Sequence, residues 1–360
     1  MRELRIGDLI VPVPIIQGGM GVGVSLSGLA AAVANEGGIG VISSAGLGLL
    51  YRKFSSDFLE ASILGLKEEL RKVKEKTKGI IGVNIMVAMS NYEDMVKTAI
   101  AEKVDIIFSG AGMPLNLPKF LTPGCSTKLA PIVSSGKAAR LLCEKWKSAY
   151  DYLPDAFVVE GPKAGGHLGF KNEQINDPHF ALENLVPEVV REVRVYEEKY
   201  NRSIPVIAAG GVYSGADVYD MIQRGASAVQ LGTRFVTTRE CDASDVFKQT
   251  YINAEESEIE IIQSPVGMPG RAIRNSFIEK VRNGLKHPIN CPVKCIKTCD
   301  ITSTPYCIIS ALMNAYRGNM ANGYAFAGSN AFRATSISSV KEVMDDLVNG
   351  FKAKLEELKK

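Results

Sequence analysis

Residues 206–235, VIAAGGVYSGADVYDMIQRGASAVQLGTRF, constrain this chain more than any other stretch. Two short apolar runs mark the stretch, at 206–209 (continuous with Ile204 and Pro205) and 226–231. The first ends in Gly210-Gly211 and the second in Gly232-Thr233-Arg234. A helical pattern at 216–222, closed by Gly225, lies between them. Glycine at a strand end permits φ > 0 and lets a ligand reach the backbone with no Cβ in the way. Backbone N–H groups at such turns can face an anion. Two such turns on neighbouring parallel strands could hold one phosphate, as the loops after the seventh and eighth strands of a (β/α)8 barrel often do. The alternative is a pair of ordinary strand-to-helix turns.

The same form recurs upstream. Short apolar runs occur at 13–17, 39–43, 80–84, 104–108, 128–133 and 156–160, with helical patterns at 26–36, 58–76, 92–101, 138–147 and 185–200. Runs that are apolar on both faces suit a parallel sheet covered by helices. Eight of them predict an α/β fold, a closed (β/α)8 TIM barrel. An open Rossmann-like sheet is the runner-up, but no GxGxxG follows the first run. Such a barrel takes about 250 residues, so a 360-residue chain carries additions. The barrel is expected over 1–240, with an insertion near 171–184. A lid or extension with a cysteine cluster follows at 241–337, and an amphipathic helix at 338–360. The helix stripe Val340, Met344, Leu347, Phe351, Leu355 and Leu358 is expected to pack on the body; a homodimer contact is its other use.

Composition narrows the function. The net charge is +3, and no basic stripe with interleaved aromatics is visible, so nucleic acid is not an expected partner. No signal peptide is read at the start. Residues 9–35 lack charge, but Pro12, Pro14, Gln17 and the glycines from Gly18 to Gly28 argue against a membrane-spanning helix. Seven cysteines in a chain of this size suggest reduced thiols and a cytoplasmic location.

Three histidines offer acid–base chemistry. His287 precedes a proline and reads as a surface residue. His179 sits in the insertion with no partner in view. His167 follows the sixth predicted strand, on the C-terminal face where barrel active sites lie, with Gly165, Gly166 and Gly169 around it. Its imidazole could act as general base or hydrogen-bond donor; the plainer reading is a histidine that satisfies a loop carbonyl. No Cys-His or Ser-His-Asp set accompanies it. A mouth of glycines, a phosphate clamp and one histidine cannot perform redox chemistry without a cofactor. A phosphorylated flavin, FMN, fits that pattern. Asn84 ends the third strand, Lys128 opens the fifth and Glu160 ends the sixth. Each is a candidate contact to the flavin, set against an ordinary surface role. Cys291, Cys295, Cys299 and Cys307 follow a C-x3-C-x3-C-x7-C spacing. On a helix the first three would share one side and could bind zinc or an iron–sulfur cluster. The spacing matches neither zinc-ribbon pairs nor ferredoxin runs, and buried free thiols are the alternative. No metal site is assigned.

Five pieces occur in order: Gln17-Gly18-Gly19-Met20-Gly21, Gly82-Val83-Asn84, Ala164-Gly165-Gly166-His167-Leu168-Gly169, Ala208-Ala209-Gly210-Gly211-Val212 and Gln230-Leu231-Gly232-Thr233-Arg234-Phe235. The set resembles the nitronate monooxygenase (2-nitropropane dioxygenase) family and the related FMN-dependent enoyl-ACP reductase II, over roughly residues 10–280. The resemblance implies an FMN-dependent barrel acting on a small-molecule substrate. Gly19, Met20 and Gly21 would lie at the flavin ring. Asn84, Lys128, Glu160 and Gly166 would line the ring and ribityl chain, Gly210, Gly211, Gly232 and Thr233 would hold the phosphate, and Gln230 is a further cofactor contact. His167 would face the substrate as the catalytic residue. A nitronate monooxygenase would use O2, whereas a reductase would use NAD(P)H. Residues 286–337 and the insertion depart from the reductase pattern.

Overall fold

Alternate residues of each central strand face two different cores. The computed structural model describes residues 1–288, 290–291 and 293–359. Ile16, Val41, Phe108, Ala130, Val158, Ile207 and Ala228 meet in one buried cluster inside a ring of strands. Their neighbours Ile15, Ile42, Ile107, Leu129, Phe157, Val159, Val206 and Val229 point outward into a second cluster under the helices. Both faces are buried, which is why the strands read as continuous apolar runs. Each large side chain so buried contributes about 1.5–3 kcal/mol.

Eight strands form one sheet: Ile15–Gln17, Gly40–Ser43, Ile81–Met86, Ile106–Gly110, Lys128–Val133, Phe157–Glu160, Val206–Ala209 and Ala228–Leu231. Each pairs in parallel with its sequence neighbour, and the eighth pairs with the first. An Ile16–Ile39 parallel bridge joins the first strand to the second, with Gln17 N donating to Ile39 O at 3.0 Å. The expected (β/α)8 TIM barrel is the fold.

The floor of the barrel holds an element the periodicity did not reveal. Strands Leu4–Ile6 and Leu9–Val11 form an antiparallel hairpin whose Leu4, Ile6 and Val11 join the interior cluster. Its turn brings Asp8 to Lys128 Nζ at 2.5 Å. That hydrogen bond holds the Asp8 carboxyl below its usual range.

At the other end, the chain after the barrel covers the mouth. A hairpin of Ile259–Gln263 and Pro269–Ile273 takes up Gly166–His167 as a third, antiparallel strand. Helices Ser276–Arg282 and Ile308–Tyr316 share a buried cluster with it through Phe277, Ile278, Ile308 and Ile309, and Tyr251 of helix Asp245–Ile252 donates its hydroxyl to Phe326 O. The terminal helix Val340–Glu357 packs on helix Gly215–Gln223 through Leu347 and Phe351. A Cβ on Gly215 would stand 2.3 Å from Phe351 N, so glycine lets the two backbones touch. Of the expected stripe, Val340, Met344, Leu347 and Phe351 are buried. Leu358 is exposed, because the helix ends at Glu357. Lys360 lies outside the described residues.

The late cysteines do not stack on a helix. Cys291, Cys295 and Cys299 lie in irregular chain, pinned by a Met89–Ile296 bridge and by Ser90 N donating to Cys295 O at 3.1 Å. Cys291 precedes a proline in the sequence, which disfavours helical backbone there. All seven thiols are free, and burial pushes that of Cys295 up to about 12. Among the described residues, no three His, Cys, Asp or Glu side chains are placed to hold a metal ion. No helix among them is long and apolar enough to cross a membrane.

Candidate active site

Strand parity builds the site. Val158 and Ala228 face the barrel interior, so Glu160 and Gln230, two residues on, face the same way one layer higher. There they border a cavity of about 260 Å³ at the C-terminal mouth, together with Asn84, Ile132 and Ala209. The loop 18–21, after the first strand, crosses beside Asn84. A Cβ on Gly19 would fall 2.2 Å from Asn84 Cβ, so only glycine fits. Gly210 and Gly211, after the seventh strand, adopt φ of 90° and 101°, and Gly232 and Thr233 follow the eighth. All four line the cavity.

His167 enters from the three-stranded sheet above the mouth. Its Nε2 stands 2.7 Å from Ser264 Oγ, and its ring meets the Phe326 ring at 5.0 Å between centroids, tilted by 61°. Burial pulls the imidazole down to about 4, so it is neutral at pH 7. Burial pushes the Glu160 carboxyl up to about 7. His167 and Glu160 are thus both driven toward their uncharged forms by the same cause.

The loop between Glu160 and His167 is held from behind by Arg271. Its buried guanidinium donates to Pro162 O and, at 2.8 Å, to Ala164 O. Desolvation lowers the Arg271 pKa to about 10. The opposite wall comes from residues 326–330. Gly328 N donates to Thr233 Oγ1 at 3.1 Å, Ser329 N to Lys163 O at 3.1 Å, and Asn330 Nδ2 to Gly211 O at 2.6 Å.

Gly19, Met20, Gly21, Asn84, Glu160, Gly166, His167, Gly210, Gly211, Gln230, Gly232 and Thr233 all border this one cavity. Lys128 does not. It opens its strand, and parallel strands all run from floor to mouth, so its side chain ends beside Asp8 at the far end. His179 lies edge-on to Phe180 in the insertion, and His287 borders a separate cavity. Ser264, Arg271, Lys163 and residues 326–330 were not singled out from sequence as site residues. Their one local signal is Tyr324-Ala325-Phe326-Ala327-Gly328, an alternating run that ends in glycine like the barrel strands.

A family profile described as nitronate monooxygenase matches residues 3–350. The chain belongs to the nitronate monooxygenase family. A probable nitronate monooxygenase of Staphylococcus aureus is 28% identical over 316 residues, 76% of this chain and 78% of that one. A Mycobacterium tuberculosis protein named (3aS,4S,5R,7aS)-5-hydroxy-7a-methyl-1-oxo-octahydro-1H-indene-4-carboxyl-CoA dehydrogenase is 30% identical over 272 residues. That match covers 75% of this chain and 66% of the relative, just under two thirds. Among solved structures, FabK from Thermotoga maritima matches with a TM-score of 0.73 and 28% identity, covering 97% of this chain and 96% of the other. A nitroalkane oxidase from Streptomyces ansochromogenes shares the fold at a TM-score of 0.73 and 20% identity, over 97% and 98% of the two chains. The family member described here is an oxidoreductase of this superfamily.

Proposed function

We propose that the protein is an FMN-dependent oxidoreductase that oxidises alkyl nitronates with O2, with His167 facing the substrate. The observation that carries this reading is the convergence of His167 and the paired glycine turns on one cavity at the barrel mouth. The residues present fit a flavin. Gly166 has no atom within 4 Å of the position a Cβ would take, so its backbone lies bare toward the mouth. Gly210, Gly211, Gly232 and Thr233 would hold the phosphate, and Gly19, Met20, Gly21 and Gly166 the ring. Asn84, Glu160 and Gln230 would take the polar edge and ribityl chain. FMN, when bound, supplies the electron transfer that no side-chain set here provides.

The protein's own contribution is to hold and orient the substrate. When Ser264 Oγ donates to Nε2, the neutral ring carries its one N–H on Nδ1, free to donate to a substrate. That ring can hydrogen-bond an anionic nitronate without carrying a charge of its own. Phe326 packs against the ring edge, and Arg271 keeps the loop leading to His167 in place. Flavin bands in the visible spectrum and nitronate-dependent O2 uptake by the flavin-loaded protein test the reading. No O2 uptake with any alkyl nitronate would sink it.

A second reading is reduction of an enoyl thioester or of a quinone with NAD(P)H. The relative named as a carboxyl-CoA dehydrogenase, at 30% identity, favours the thioester. Anaerobic bleaching of the flavin by NAD(P)H, reversed by an enoyl thioester or a quinone, would establish it. Failure with both nucleotides excludes it.

A further inference from the structure

His167 is placed by a strand and oriented by a turn. Its backbone pairs with Gly270, and Leu168 N donates to Pro269 O at 2.8 Å. Both partners belong to strand Pro269–Ile273. The turn that joins this strand to Ile259–Gln263 then curls back toward the ring. Ser264 N donates to Met268 O at 3.1 Å and Gly267 N to Ser264 O at 2.9 Å. Gly267 sits at φ of 85°, which lets the turn close. The buried Ser264 hydroxyl is thereby set 2.7 Å from His167 Nε2.

That hydroxyl has one proton and two lone pairs. Val266 N donates to Ser264 Oγ at 3.3 Å, so one lone pair is taken. Among the described residues, Nε2 is the one other group in hydrogen-bond reach of Oγ. With a proton on Nε2, both lone pairs would accept, and the hydroxyl proton would be buried with no acceptor. An orphaned buried donor costs more than a made bond returns. With Nε2 bare, every donor at this junction is used: Val266 N–H to Oγ, and Oγ–H to Nε2. The buried ring is neutral, so its one proton then stands on Nδ1. Nδ1 has no hydrogen-bond partner among the described residues, yet it is not one of the unpaired atoms sealed away from solvent. His167 borders the cavity, so Nδ1–H is a donor held open to it.

We propose that Ser264 is a positioning residue that locks His167 in the Nδ1–H tautomer and so makes the ring a hydrogen-bond donor, and not a base, toward the substrate. The substrate named here rests on the nitronate reading above; the tautomer does not. The consequence is selectivity. Nδ1 already holds a proton and the Nε2 lone pair is occupied by Ser264, so the ring has no place for a proton taken from carbon. It offers an N–H to a molecule that arrives already as an anion. A preformed nitronate is therefore favoured over the neutral nitroalkane, which must first lose a proton to a base.

Nitrogen NMR of the flavin-loaded full chain, with its histidine rings isotopically labelled, reads the tautomer without any turnover. His167→Gln removes one ring from the spectrum and so assigns it. Near neutral pH the wild-type proton is expected on Nδ1. In Ser264→Ala it moves at least in part to Nε2, and Ser264→Thr, which keeps the hydroxyl, restores the wild-type form. Ser264→Ala also raises KM for an alkyl nitronate about tenfold or more, the loss of one hydrogen bond to an anion, and changes kcat less. Its preference for nitronate over nitroalkane falls. A wild-type proton on Nε2, or on both nitrogens, overturns the proposal. So does a tautomer that Ser264→Ala leaves unchanged, or an unchanged KM in a variant whose tautomer has moved. A wild-type protein that oxidises no nitronate removes the substrate alone, because the nitrogen spectrum decides the tautomer by itself.

Discussion

At the barrel floor Lys128 opens a strand and pairs with Asp8; at the mouth Glu160 closes the adjacent strand, and burial alone sets its carboxyl. Both are polar residues at the ends of apolar runs. The difference lies in strand direction. Every barrel strand runs from floor to mouth, so the first residue of a strand meets the plugging hairpin and the last meets the cavity. The floor resolves its charges within the protein. The mouth leaves Asn84, Glu160, Gln230 and His167 facing a space, which is what a binding site requires.

The sharpest way to break this comparison is mutation at both ends. His167→Ala is expected to lower kcat/KM for nitronate oxidation by about 10²–10⁴, while Lys128→Ala leaves it within about twofold of wild type. Equal losses in steady-state O2 uptake would show that the two ends are not functionally distinct. Next in size is Gly211→Ala. Gly211 holds φ of 101°, and a Cβ there would lie 3.0 Å from Lys163 Cβ. The substitution should cost about 1–2 kcal/mol of stability and release flavin on desalting. Retained flavin and an unchanged urea midpoint would remove the clamp from the argument.

Proton linkage acts on stability through pH. Glu160 titrates at about 7 in the fold against 4.5 unperturbed, so the folded state binds the extra proton between those values. Its contribution to stability falls as pH rises from 4.5 to 7, and Glu160→Gln should remove that slope. His167 runs the opposite way. At about 4 in the fold against 6.5, it makes the unfolded state bind more protons, so stability falls as pH drops from 6.5 to 4. His167→Gln should flatten that limb. Urea melts across both windows read the two slopes, and slopes identical to wild type would contradict the buried positions. The smallest effect is at the floor. Lys128→Met breaks a pair whose Asp8 is largely exposed, and should change stability by less than about 1 kcal/mol.

The eight strands and most of the mouth were legible in the sequence because they rest on local rules. A strand buried on both faces must be apolar throughout, and a position that turns at φ near 100°, or whose added Cβ would fall 2.2 Å from a neighbour's Cβ, must be glycine. Lys128 was misplaced as a flavin contact because residue type was weighed without strand direction, although its position at the start of a run already put it at the floor. The hairpin at Leu4–Ile6 and Leu9–Val11 escaped notice because three-residue strands show no period.

Other features could not be read locally at all. Arg271 reaches Ala164 across 107 positions, Asn330 reaches Gly211 across 119, and Ser264 reaches His167 across 97. Sequence alone determined the barrel, the glycine turns and the presence of a single histidine at a strand end, since each follows from the backbone and burial needs of a short segment. Only the tertiary structure decided that His167 is neutral and joined to Ser264, and that residues 326–330 wall the cavity. Those outcomes depend on which distant segments share a dry space, and no local pattern encodes that.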